Sequence, residues 1–355
     1  MTSFRSLFPS STLSSAASAR VSALTDSWTS TPSSRCRRNP FSSPGYLTSS
    51  NSTLTENRWH PYAEGCSTPS LVAPVLARDP FPWLHNRTVV IFGSSVDRNH
   101  VNFFCKFAGG RLVTVMPESP LSPRPLEAGW LPEGASVGPA SQPRYCRIEE
   151  YSFTIVFVFH YGILQDWSDY NLASPVRHFT PPSLAEDRLS SLLLPFLDHL
   201  QSANFAGPID LLEASSIEWD LEAWQFSSAQ RKSGSELHLQ DAWDTYLPLF
   251  ALRLPQLAEA LIQAFPRHSK TTLGRFGPIL WRLPHLSLRK APAPIVNEAM
   301  AAATRQVFAD NPVLRKEFEM DETGTMLEGG LREWMSDATH PAPVRFSLDD
   351  FGARS

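Results

Sequence analysis

The chain has 355 residues, 42% hydrophobic and 11% aromatic, which suffices for one large core or two small ones. A net charge of -4 gives no electrostatic case for nucleic-acid binding, which calls for a basic face. No window approaches the roughly 18 to 20 uninterrupted apolar residues of a membrane helix, so no transmembrane helix is expected.

Residues 1–55 are rich in Ser and Thr, with Arg5, Arg20, Arg35, Arg37 and Arg38 against one acid, Asp26. Such a segment buries too little apolar surface to offset chain entropy and reads as disordered. Arg and Ser with almost no acid also resemble an organellar transit peptide. Leu7, Phe8 and Leu13 are too scattered for the apolar stretch of a secretory signal. Asn51-Ser52-Thr53 and Asn86-Arg87-Thr88 are N-glycosylation sequons, which have meaning only in a secretory chain.

From about residue 75 strands and helices alternate. Thr88 to Phe92 is a β-branched and aromatic run of strand length, and Val96 to Phe107 spaces Val96, Phe103, Phe104 and Phe107 as a helix does. Arg111 to Met116 reads as a second strand, and the proline-rich Pro117 to Arg144 as an excursion. Thr154 to Phe159, "TIVFVF", is a continuous apolar strand of the kind covered by helices on both faces. Leu184 to Leu200 is a helix, Ile209 to Leu212 a short strand, and Leu237 to Phe265 largely helical around Pro248 and Pro255. Ile279 to Leu283 is the last clear strand; Val296 to Phe308 and Leu327 to Met335 complete the helices. The alternation predicts a three-layer α/β/α domain with a mainly parallel sheet over residues 56–345, followed by a tail at 346–355.

The four cysteines form neither a CxxC pair nor a zinc spacing. Cys105 and Cys146 flank core elements, and a disulfide between them or two buried free thiols suit the sequence equally. As a bond it would close about 40 residues of chain and contribute roughly 3 to 4 kcal/mol. No metal or cofactor is expected.

"FGSSVDRNH", Phe92 to His100, runs a strand directly into Gly93-Ser94-Ser95 and a helix. Reactive groups gather where strands of such sheets end, and a nucleophile there meets the positive end of the following helix. Ser95 fits that position, although a serine in a Gly-Ser turn is more commonly a helix cap. Near the other end of the chain, "SDATHP" spaces Asp337 and His340 as D-x-x-H. That pair has the makings of an imidazole base held by a carboxylate, as a serine nucleophile requires. There is neither a GxGxxG pattern nor a P-loop lysine to favour a nucleotide.

A glycine-flanked serine opening the domain and D-x-x-H closing it resemble the SGNH (GDSL-type) hydrolase superfamily. The chain is more narrowly similar to the fungal branch of the PC-esterase family, related to glycan O-acetyltransferases and trichome-birefringence-like proteins. "RTVVIFGSSVDRNHVNFFC", "RYC" at Arg144 to Cys146, "FVFHYG" at Phe157 to Gly162, "SSIEWDLEAW" at Ser215 to Trp224, "LWRLPH" at Leu280 to His285 and "SDATHP" follow in family order. Together they span roughly residues 75 to 345.

The resemblance implies an SGNH-hydrolase-like fold and a serine esterase or O-acyltransferase acting on an acylated carbohydrate or small ester. Ser95 is then the nucleophile, His340 the base and Asp337 its orienting carboxylate. The Ser95 N–H and, less strongly, Gly162 would serve the oxyanion, with Ser216 and His285 as further oxyanion or substrate positions. Asp97, Arg98 and Asn99 would tie the helix start to its neighbours, and Trp219, Asp220 and Trp224 would wall the cleft or join the core. Family members work in the secretory pathway, often at Golgi membranes.

Two departures stand out. Ser94 occupies the place of an aspartate, and Ser215 to Glu218 lack the family's glycine and asparagine. They favour an alternative: an inactive relative retained as a glycan-binding or scaffold protein.

Overall fold

The structure, a computed structural model, describes residues 45–48, 58–62, 65–66, 84–123, 139–164, 182–231, 242–267, 274–275, 277–284 and 293–322. The expected helix at 327–335 and tail at 346–355 lie outside them. Gly45–Thr48 (β1) pairs antiparallel with Arg58–Pro61 (β2), so these four residues depart from the disorder expected of 1–55; backbone pairing with β2 gives them an ordered partner.

The main sheet has seven strands. In chain order they are β3 (Thr88–Gly93), β4 (Arg111–Thr114), β5 (Arg144–Ile148), β6 (Phe153–Phe159), β7 (Ile209–Ser215), β8 (Ile279–Arg282) and β9 (Phe318–Asp321). Their spatial order is β4-β5-β6-β3-β7-β8-β9. The β6-β3, β3-β7, β7-β8 and β8-β9 pairings are parallel, while β4-β5 and β5-β6 are antiparallel. The mainly parallel α/β class read from the sequence is the one observed.

Helices follow as α1 (Ser95–Phe107), α2 (Ala185–Arg188), α3 (Leu194–Ser202), α4 (Glu218–Arg231), α5 (Leu247–Ala264), α6 (Ala293–Asp310) and α7 (Pro312–Glu317). The predicted helix at 184–200 is divided by a π-turn at Leu189–Leu193, just before Pro195, whose missing N–H breaks the regular ladder.

Strand alternation divides the sheet into two apolar faces. Val90, Phe92, Val156, Val158, Leu212 and Ala214 meet residues of α3, α5 and α6 in the larger core. Ile155, Phe157 and Phe159 point the other way and share a second cluster with Val101 and Cys105 of α1. All seven residues of β6 are buried, as its unbroken apolar run requires between two helical layers.

Cys105 of α1 is bonded to Cys146 of β5, which settles the two readings of that pair in favour of a disulfide and pins α1 to the sheet. Cys66 is disulfide-bonded as well. Besides β1 and β2, two strands of the main sheet escaped the sequence reading. In β5, "RYCRI", arginines interrupt the apolar pattern; in β9, "FEMD", Phe318 and Met320 reach the core while acids alternate with them.

The strand order reverses at β3. After β3 the chain jumps to the edge strand β4, steps back inward through β5 to β6 beside β3, and then crosses to β7 on the other side of β3. A ligand crevice forms beyond the carboxyl ends of strands at such a reversal. Gly93 stands level with Phe159, and Phe92 with Ala214, so the loops after β6, β3 and β7 emerge together.

Candidate active site

The turn after β3 separates its two serines. Ser94 is the N-cap of α1: its Oγ accepts from Val96 N at 3.2 Å, and Asp97 Oδ2 accepts from Ser94 N at 2.6 Å, completing a capping box. Ser95 is thereby the first helical residue, half-buried, at the carboxyl tip of the central strand. The amide of a first helical residue has no intrahelical acceptor, and the helix dipole favours negative charge there. Gly93 has to be glycine, because a Cβ would sit 2.1 Å from Asp97 Oδ2 and 2.6 Å from Ser215 Oγ.

Asp97 is the hub behind this turn. Its Oδ2 also accepts from Ser215 Oγ at 2.8 Å, and its Oδ1 from Arg282 Nε at 2.8 Å and from Arg282 Nη2. One carboxylate thus ties the ends of β3, β7 and β8. Burial alone would raise its pKa; Arg282, His100, the Ser94 N–H and Ser215 outweigh this and hold it below the ordinary carboxylate value. Arg282, which burial alone would make less basic, is held above its ordinary value by Asp97 and Glu213. Glu213, 3.3 Å from Arg282, is pushed up to about 8 by burial, with Arg282 opposing and Asp97 and Asp321 adding to the rise.

The expected tie from Asp97 to its neighbours is therefore present, and Arg98 adds one from Nη1 to Ala140 O at 3.1 Å. Ser94 does not take the bracing part that an aspartate at its position would. Its hydroxyl caps the helix, and the carboxylate that braces the turn comes from Asp97.

A second buried aspartate does the same for the loops on either side. Asp220 Oδ1 accepts from Ile163 N at 2.7 Å and Leu164 N at 2.9 Å after β6; its Oδ2 accepts from Ser216 Oγ and from Ile217 N at 3.2 Å after β7. Burial raises its pKa against the pull of these donors. The β7 turn is strained at Ile217, a β-branched residue at φ 108° whose side chain is nevertheless fully buried in the larger core. Gly162 at φ 84° faces the same carboxylate, and a Cβ there would lie 2.4 Å from Asp220 Oδ1.

His160 closes the link between β6 and β7. Its Nδ1 accepts from Gly162 N at 3.1 Å, so the neutral ring carries its proton on Nε2, which lies 2.7 Å from Ser215 O and donates to it. Burial drives its pKa down to about 4, with the Ser215 bond opposing. Both ring nitrogens are spent on structure, and His160 is not a base for Ser95.

Of the residues expected to act, Ser95, Gly162 and Ser216 come to the same end of the sheet. The Gly162 N–H, expected as an oxyanion donor, is instead occupied by His160, and the Ser216 hydroxyl is committed to Asp220. His285, Asp337 and His340 lie outside the described residues. Asp220 binds loops together instead of walling a cleft, Trp224 is core, and Trp219 is half-buried, edge-on to Tyr161 at 4.8 Å between ring centres. Sequence reasoning missed Arg282 and His160 as site-building residues. Both sit inside quoted motifs, "LWRLPH" and "FVFHYG", but nothing local reveals a partner 185 residues away.

Among the described residues no helix is long and apolar enough to cross a membrane, and no cluster of His, Cys, Asp or Glu is placed to hold a metal ion. Comparison with protein-family models and with curated proteins finds no match to this chain.

Proposed function

We propose that the protein is a serine esterase, or an O-acyltransferase of the same chemistry, acting on an acylated carbohydrate or small ester. The observation that supports this most is the position of Ser95: first residue of α1, at the tip of the central strand, at the topological switch point, with Ser94 taking the capping role. His340 and Asp337 enter through the resemblance of "SDATHP" to the D-x-x-H block of SGNH hydrolases.

In this reading Ser95 Oγ attacks the acyl carbonyl carbon as His340 takes the hydroxyl proton, with Asp337 fixing the imidazole. The Ser95 N–H stabilises the oxyanion, the type of contact whose loss costs about 2.7 to 4 kcal/mol. The C–O bond to the sugar breaks, and the leaving oxygen takes the proton from His340. Water or a second sugar hydroxyl then attacks the acyl-serine ester, its proton passing to His340; the acyl–Oγ bond breaks, Ser95 Oγ takes that proton back, and the acid or the new ester is released. The disulfides fit an oxidising compartment, in line with the secretory or Golgi setting of the resembled family.

The full chain should hydrolyse p-nitrophenyl acetate, with Ser95→Ala and His340→Ala each lowering kcat by about 10³-fold or more. A folded wild type with no turnover on this ester or on acetylated oligosaccharides would remove the enzyme reading.

The engaged Gly162 N–H and Ser216 hydroxyl favour a second reading, a glycan-binding relative without catalysis. It predicts oligosaccharide binding that Ser95→Ala leaves intact, with no turnover by the wild type.

A further inference from the structure

A proline-alanine-serine turn at Pro139–Ser141 enters β5 at the end of the sheet that carries Ser95, since Arg144 is paired with Phe157 near the end of β6. Three successive carbonyls of this turn each receive one arginine. Pro139 O accepts from Arg144 Nη2 at 3.0 Å, Ala140 O from Arg98 Nη1 at 3.1 Å, and Ser141 O from Arg188 Nη2. Arg98 stands three residues after Ser95, at a spacing that shares a helix face.

Carbonyls are dipoles without net charge, so the arginine charges are not cancelled there. Among the described residues neither Arg98 nor Arg144 has a carboxylate partner. Arg144 Nε is buried without a hydrogen-bond partner, the kind of omission that needs a physical reason. Burial, together with Arg98, holds the Arg144 pKa down to about 10, so both groups still carry charge at neutral pH and repel one another. Arg188, fully buried with its guanidinium 5.7 Å from the Tyr161 ring centre, adds to the positive field from behind. In a chain of net charge -4, Arg98 and Arg144 gathered on one turn are costly until an anion joins them.

We infer that Arg98 and Arg144 form a binding site for an anionic group of the substrate, a carboxylate or a phosphate, on the β5-β6 side of Ser95. Each guanidinium has five N–H donors and spends one on the turn, so the fork geometry suits two-point contact with a carboxylate or phosphate. The inference rests on the proposed function in treating that anion as part of an acylated sugar: a uronic acid in one case, a phosphorylated sugar in the other.

The test is equilibrium binding to the full chain, which does not depend on ester turnover. Wild type is titrated with oligogalacturonate and, separately, with inorganic phosphate. At least one of them should bind, more weakly as salt is added, and about tenfold more weakly to Arg98→Gln and to Arg144→Gln. Arg144→Lys should recover part of the loss. Oligogalacturonate alone identifies an acidic sugar, phosphate alone a phosphorylated one, and binding of both a site that selects charge only. Failure of the wild type to bind either anion, or undiminished binding by both folded glutamine variants, overturns the inference. An active esterase that binds no anion sinks this inference alone; an inactive chain that binds one sinks only the esterase.

Discussion

Arg282 Nε donates to Asp97 Oδ1 at 2.8 Å across 185 residues of sequence, directly behind the turn that presents Ser95. The ion pair is buried, so its formation brings little net stability, but removing one partner strands the other charge. Asp97→Asn should therefore cost about 3 to 5 kcal/mol in urea unfolding. The apolar pair Asp97→Leu with Arg282→Met should cost less than that single change. Equal or greater loss in the double variant would show that the pair is worth more than its desolvation.

Ile217 combines a positive φ with a buried side chain, and the two effects oppose each other in Ile217→Gly. Relief of backbone strain returns about 1 to 3 kcal/mol, while loss of the buried side chain removes about 2 to 5 kcal/mol. The expected outcome is net destabilisation of about 1 to 2 kcal/mol, measured by denaturant midpoint. A stabilised glycine variant would mean that strain dominates the β7 turn.

The Cys105–Cys146 bond closes a loop with a sequence separation of 41. Chain entropy gives it roughly 3 to 4 kcal/mol. The Cys105→Ser, Cys146→Ser double variant should lose about that much stability in urea. An unchanged midpoint would indicate that the reduced, unfolded chain retains structure in this segment.

The buried His160 and the half-buried Glu213 give pH dependences of opposite sign. The folded pKa of His160, about 4, lies below its ordinary 6.5. The unfolded chain then binds more protons, and the His160 contribution is lost as pH falls from 6.5 through 4. Glu213, at about 8 against an ordinary 4.5, binds its proton more tightly when folded, and its contribution is lost as pH rises from 4.5 through 8. Wild type minus His160→Gln should thus narrow on acidification, and wild type minus Glu213→Gln should narrow on alkalinisation. Parallel stability curves for wild type and either variant would contradict the corresponding shift.

The α/β class and most elements were legible because their signals are local. β6 is a run of apolar residues, and α1 follows from helical spacing after a Gly-Ser-Ser turn. β5 and β9 were not, since arginines and acids alternate with their core residues and only the neighbouring strands supply the reason for pairing. At the site, Ser95 was legible from its place between strand and helix. The division of labour between Ser94 as cap and Asp97 as brace was not, because it depends on Ser215 and Arg282 arriving from β7 and β8. Likewise, Gly162 read as a donor for an oxyanion until His160, two residues before it, was seen to accept its N–H.

The most direct test of Ser95 as nucleophile is reaction of the full chain with a fluorophosphonate, followed by mapping of the adduct by peptide mass spectrometry. One residue, Ser95, is expected to be phosphonylated, with no labelling of Ser95→Ala. A folded wild type that takes no label, or takes it at another residue, would contradict that role.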